Sequence, residues 1–302
     1  AQADIGFVGV PHSSGNGSTE RDQHLGPRAV RHVSGFYRRT HFVHGFAPWD
    51  VARINDLGDV PLPEAMNNEA SVRDIEAFYR RLDEAGTCPV SIGGDHSITG
   101  PILKAVAGPG RRLSGGKPCA LIHFDAHTDS YDNMPHWLGA KRSAAHWAAY
   151  TAKEEAVDPA KSVQVGMRGH PSGAIHKGGV GGSSRELGYR VVTMQEFEEL
   201  GVARTVELIR ERVADAPAYI TFDLDCMDPS VAPGVSNIEP GFSGFTIREA
   251  TRLLQGLRGL DIIGGDVVCL MPTKDNANQI TAQMAMVMMF EITCLIASRL
   301  GK

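Results

Sequence analysis

Seven short apolar runs recur along the chain with helical patterns between them, and this alternation limits the fold more than any other feature. The runs cover residues 5–10, 90–92, 119–124, 162–165, 189–192, 219–222 and 262–268. Between them, residues 71–84 carry Val72, Ile75, Phe78, Tyr79 and Leu82 at helical spacing, and residues 202–213 repeat the pattern. Strands alternating with helices imply an α/β fold with a mostly parallel sheet covered on both faces. In such sheets a ligand sits at the carboxyl ends of the strands. No repeat and no linker divides the chain, so residues 1–302 are predicted to form a single catalytic domain.

The apolar stretch 280–300 has the length of a membrane span, but Gln283, Glu291, Thr293, Ser298 and Arg299 interrupt it, so a buried or subunit-facing helix is predicted. No signal-type segment opens the sequence, and a soluble cytoplasmic enzyme is expected. A net charge of −5 argues against nucleic acid and anionic membranes as partners. The five cysteines are widely spaced and form no Cys-x-x-Cys pair, which argues against a disulfide framework or a zinc–cysteine site.

Three segments at predicted strand ends carry the chemistry. Ser91-Ile-Gly-Gly-Asp-His-Ser97 places His96 just past a strand. In His123-Phe-Asp-Ala-His-Thr-Asp129, the residues Asp125, His127 and Asp129 alternate, and a continuing strand would put all three on one face. Thr221-Phe-Asp-Leu-Asp-Cys-Met-Asp228 repeats the device with Asp223 and Asp225. Carboxylates converging on one point need cations or protons to neutralise them. Mixed imidazole and carboxylate donors suit Mn, Fe, Ni or Zn, and six side chains exceed what one tetrahedral zinc takes but fit two ions.

These motifs resemble those of the ureohydrolase (arginase/agmatinase) family almost end to end. The resemblance includes Gly9-Val-Pro11, Leu25-Gly-Pro-Arg-Ala-Val-Arg31, Gly93-Gly-Asp-His96, Asp125-Ala-His-Thr-Asp129, Ser162-Val-Gln-Val-Gly166 and Asp223-Leu-Asp-Cys-Met-Asp-Pro229. It implies a three-layer α/β/α fold and a C–N hydrolase of linear amidines with two divalent transition-metal ions, Ni2+ or Mn2+, per chain. One ion would take His96, Asp125, Asp129 and Asp223, the other His127, Asp125, Asp223 and Asp225, with a hydroxide between them attacking a guanidino carbon. Urea and an amine would leave. Relatives place a proton-shuttling histidine in an HG-type segment. The matching residue here is His146, with His136 in the 134–138 insertion as its rival. Homo- or hetero-oligomers, trimeric or hexameric, are also implied.

Two departures bear on substrate. Cys269 stands three residues before Pro272, where family members carry a guanidinium-binding Glu. Residues 232–240, including Asn237 and Glu239, replace a Gly-Thr-Gly-rich loop. With Trp137 and Met271 added, these residues define a predicted substrate pocket for a small or N-substituted guanidine or biguanide, such as guanidine or metformin. An agmatinase- or guanidinobutyrase-type enzyme and a supporting subunit of a hetero-oligomer are the alternatives, and a single-zinc deacetylase-like hydrolase is a third. The Gly-rich loop 169–184 is expected to cover the site.

Overall fold

The computed structural model describes residues 3–16, 21–35, 39–131, 140–169, 182–239 and 243–301. Eight strands form one sheet: β1 (Ile5–Val10), β2 (Ile54–Asp59), β3 (Cys88–Gly93), β4 (Ala120–Phe124), β5 (Val163–Met167), β6 (Arg190–Thr193), β7 (Ala218–Asp223) and β8 (Ile262–Val268). Their order is β2-β1-β3-β8-β7-β4-β5-β6, and every pairing is parallel.

The helices are α1 (Gly26–Val33), α2 (Pro48–Val51), α3 (Asn68–Ala85), α4 (Thr99–Val106), α5 (Trp147–Lys153), α6 (Gly182–Leu187), α7 (Met194–Val213), α8 (Ile247–Gly256) and α9 (Ile280–Leu300). Alternation along the strands feeds two cores. Ile122 and Phe124 of β4 and Ile220 and Phe222 of β7 join residues of α7, α8 and α9. Leu121 and Tyr219 point the other way and join residues of α3, α4 and α5. The result is the expected three-layer α/β/α arrangement.

The sequence pattern missed β2. It is an edge strand in which only Ile54 is buried, so it lacks the apolar run that marks the central strands. Arg31 of α1 holds it by ion pairs to Asp56 and Asp59 at 2.8 and 2.6 Å. Helix α3 starts three residues before the predicted pattern, at an Asn67 cap whose side chain accepts from the Ala70 amide. The pattern at 202–213 is the second half of α7, which breaks at Gly201, φ 67°. Helix α9 passes a composition test for a membrane span, yet 78% of its most apolar window is buried within the chain. It packs on β8, α1, α2 and α8, which accounts for its apolar character on all sides.

Candidate metal centre

Four neighbouring strands, β3, β8, β7 and β4, deliver the site from their carboxyl ends. After β3 the chain turns through Gly94, where a Cβ would lie 2.1 Å from the His12 carbonyl oxygen, so only glycine passes. Asp95 then caps a short 3-10 turn, accepting from Ser97 N at 2.9 Å and Gly15 N at 2.8 Å, and this aims His96 inward.

Strand β4 ends at Phe124, and Asp125 to Asp129 form a loop rather than a continued strand. The predicted alternation therefore does not bring Asp125, His127 and Asp129 together. Local hydrogen bonds do it instead: Asp125 Oδ1 accepts the His127 amide at 2.6 Å, and Asp129 adopts φ 48°. Asp223 is the last residue of β7, and its Oδ1 accepts the Asp225 amide at 2.9 Å across a 3-10 turn. Carboxylates that hold the backbone of a turn leave strand periodicity behind, which explains the difference.

The six predicted ligands nevertheless converge. His96 Nδ1 lies 3.0 Å from Asp125 Oδ2, 3.0 Å from Asp129 Oδ2 and 3.0 Å from Asp223 Oδ2. That nitrogen is fully enclosed and makes no hydrogen bond of acceptable geometry. Two donors held about 2.1 Å from one ion at right angles lie about 3.0 Å apart, so the spacing suits a cation at the centre of the four atoms. Beside it, His127 Nδ1 lies 3.2 Å from Asp225 Oδ2 and 3.5 Å from Asp125 Oδ1. The residues present fit a pair of divalent cations with Asp125 shared between them.

The electrostatics agree with this fit. Burial would depress His96 and His127, but the facing carboxylates outweigh it and hold both well above the usual imidazole value. Burial, then Asp223 and Asp125, push Asp225 well up. Burial also opposes the charge of Asp125, yet hydrogen bonds from His123 and His127 and the facing His96 imidazole keep its carboxyl well below the usual range. Without cations the cluster holds protons in their place.

Several supporting residues were invisible in the sequence. His123 Nε2 donates to Asp125 Oδ2 at 2.8 Å. Its tautomer is fixed because the Gln164 amide NH2, which donates to Thr128 O at 2.8 Å, also donates to His123 Nδ1 at 3.0 Å. His123 is thus a neutral donor that orients Asp125, although its nitrogen lies within reach of the cluster. His96 Nε2 donates to Thr221 Oγ1 at 2.9 Å, and Thr221 donates to the buried Asp266 at 2.6 Å. Trp147 Nε1 donates to Asp129 Oδ2 at 2.8 Å. Arg168, buried at the end of β5, donates to the carbonyls of Asp225, Cys226 and Met227 and braces their turn. No periodicity marks any of these; only position beside a motif residue would have found them.

The cluster opens on a cleft of about 150 Å³, and Cys269 and Asn237 line it as expected. Cys269, φ 68°, is anchored by its amide to Gly94 O at 2.9 Å. Burial followed by the charges of Asp223 and Asp225 pushes its thiol well up, so it is a neutral thiol and not a thiolate. Glu239 departs from expectation: its Oε1 lies 2.9 Å from His127 Nε2 and it holds that imidazole from behind. Met271 is buried behind the loop with its amide on Gly234 O and does not line the cleft. His146 is buried at the start of α5, its Nδ1 2.7 Å from Ser143 Oγ, while its neighbour Ala145 lines the cleft. His136, Trp137 and residues 170–181 of the Gly-rich loop lie outside the described residues.

A second cluster, His41, His44 and Glu291, is buried under α9. His41 Nδ1 accepts the amides of Val43 and His44, so its Nε2 carries the proton donated to Glu291 at 2.9 Å. A nitrogen committed as a donor offers no lone pair to a cation, and this group is a packing network.

The model of the arginase family matches residues 3–295. A guanidinopropionase of Pseudomonas aeruginosa is 39% identical over 301 residues, covering 98% of this chain and 88% of the relative. A guanidinobutyrase of the same organism is 33% identical over 293 residues, covering 97% and 86%. The solved proclavaminate amidino hydrolase of Streptomyces clavuligerus superposes with a TM-score of 0.86 at 31% identity, covering 98% of this chain and 92% of that one. The sheet order, the converging His and Asp side chains and these matches agree: the chain belongs to the arginase family, hydrolases of C–N bonds in guanidino compounds.

Proposed function

We propose that the chain hydrolyses a small or N-substituted guanidine or biguanide, with guanidine and metformin as the leading substrates, and releases urea or a urea derivative and an amine. His96, Asp125, Asp129 and Asp223 hold one divalent ion and His127, Asp125, Asp223 and Asp225 the other, Ni2+ or Mn2+. The observation that carries the substrate reading is Cys269: a cleft-lining thiol, kept neutral by burial and the neighbouring acids, offers no counter-charge to a guanidinium tail. No Lys or Arg among the described residues lines the cleft either, which disfavours a substrate with a free carboxylate. The small volume fits a compact substrate.

Two ions held by these residues would neutralise the acids and lower the pKa of bound water, supplying a nucleophile at neutral pH. The protein's part is orientation. Asp125 is fixed by His123, His96 by Thr221, Asp129 by Trp147 and His127 by Glu239, so the ligand oxygens and nitrogens do not reorganise during the reaction. Cys269 lines the cleft together with Asp223 and shapes the wall against which the guanidino group would rest. His146, its Nδ1 held by Ser143, is assigned delivery of a proton to the departing amine. His136 is the rival for that role.

A guanidino-acid hydrolase is the second reading, favoured by the 39% identity to a guanidinopropionase. The complete set of six ligand side chains disfavours a purely supporting subunit. Urea release measured with guanidine, metformin, agmatine, 3-guanidinopropionate, 4-guanidinobutyrate and arginine, after loading with Mn2+ or Ni2+, decides among these. A preference for the guanidino acids overturns the small-guanidine reading, and no turnover of any compound overturns the enzyme assignment for the isolated chain.

A further inference from the structure

We infer that Trp147 is a positioning residue that fixes Asp129 as a one-oxygen ligand and thereby sets how tightly the first of the two cation positions holds its ion. The inference rests on the reading of His96, Asp125, Asp129 and Asp223 as ligands.

Trp147 is fully buried, and its indole Nε1 lies 2.8 Å from Asp129 Oδ2. That oxygen is the one standing 3.0 Å from His96 Nδ1, so the indole proton and the cation position share a single carboxylate oxygen. The main chain is gripped as well, because the Ala148 amide donates to Asp129 O at 3.0 Å. The first turn of α5 thus holds Asp129 by both its backbone and its side chain. Asp129 needs that hold, since φ 48° is uncommon for a residue with a Cβ. The indole ring then packs 4.8 Å from the His96 ring and 4.9 Å from the His123 ring, closing the wall behind both imidazoles.

A carboxylate left free to rotate alternates between one-oxygen and two-oxygen contact with a cation. A donor bound to one oxygen bars the rotation and draws charge from that oxygen, and groups that orient ligands in this way typically change metal affinity about 10- to 100-fold when removed.

The test compares the wild type with Trp147→Phe, which keeps a ring against the two imidazoles while removing the N–H and part of the ring's volume. Metal-free protein is titrated with Mn2+ against a competing chelator. The wild type is expected to take up two ions. The variant is expected to retain one near wild-type affinity and to bind the other about 10- to 100-fold more weakly. Because a buried Trp→Phe change can disturb folding, a second measurement uses the wild type alone. In 15N-labelled protein the Trp147 indole resonance, identified by its loss in the variant, should shift when diamagnetic Zn2+ is added. Two equal affinities in variant and wild type, or an indole resonance unmoved while two ions are bound, overturn the inference and leave the metal reading standing. A wild-type chain that takes up no ion overturns the metal reading and this inference together.

Discussion

Glu239 Oε1 lies 2.9 Å from His127 Nε2, so a carboxylate holds from behind the imidazole whose Nδ1 faces Asp125 and Asp225. This pairing fixes the tautomer and raises the basicity of the inward nitrogen. Glu239→Gln keeps the shape and removes the charge. The expected outcome is a loss of metal affinity of about 10- to 100-fold with KM nearly unchanged at saturating metal. A large rise in KM with normal metal retention would return Glu239 to the substrate-contact role predicted from sequence.

Asp125→Asn and Asp223→Asn should each abolish turnover and reduce the metal content, because both acids are proposed to serve the two cation positions. Elemental analysis after gel filtration measures this. Undiminished metal in an inactive variant would mean that the residue acts on substrate and does not hold the ions.

For His146→Ala the expectation is a fall in kcat of about 10²-fold with both ions still bound, the usual scale for losing a general acid or base. Ser143→Ala removes the 2.7 Å contact to His146 Nδ1 together with the acceptor of the Ala145 amide at 3.2 Å, and should cost much less. If His136→Ala shows the large loss and His146→Ala does not, the proton is delivered from the inserted segment.

Cys269→Glu places a further acid in a cleft that three acids, Asp129, Asp223 and Asp225, already line. Activity on a small substituted guanidine should drop, and what remains should shift toward agmatine-like compounds, because charge-assisted hydrogen bonds are roughly twice as strong as neutral ones. An unchanged substrate ranking removes Cys269 from the specificity determinants.

The raised values of His96 and His127 carry a sign. In metal-free protein, a group whose folded value lies above its unfolded value of about 6.5 contributes stability that is complete below that pH and is lost as pH rises through the folded value. The metal-free melting temperature should therefore fall from about pH 6.5 upward, while the loaded protein, whose imidazoles are deprotonated ligands, should not follow it. Loading should release protons, measurable with an indicator dye in weak buffer. Parallel pH profiles for the two forms, or loading without proton release, would contradict the proton-holding cluster.

How much the sequence revealed depended on how each feature is encoded. Periodicity located β1, β3 to β8 and the α9 core helix, because burial on both faces leaves apolar runs. It failed at β2, whose residues Asn55 to Asp59 are exposed at the sheet edge. The ligand set was legible because acids and imidazoles clustered at strand ends are costly without cations. The geometry that unites them was not, since it arises from Asp125 and Asp223 bonding to the amides two residues on. Trp147, Thr221, Asp266 and Arg168 act through contacts across the sheet or between loops, at sequence separations of 18 to 167 residues in the bonds they make to Asp129, His96, Thr99 and the carbonyls of 225–227. No local window contains such partners. Glu239 was singled out as a substrate contact, and in the structure its carboxylate bonds to His127.

Strand β8 lies between β3 and β7 in the sheet, yet the loop that follows it contributes Cys269 and none of the six side chains assigned to the cations. The cleft is thus built on a division of labour among adjacent strand ends: three carry the side chains assigned to the cations, and the one between them faces the same space with Cys269. A change at Cys269 is therefore expected to reshape the cleft wall while leaving all six assigned side chains in place.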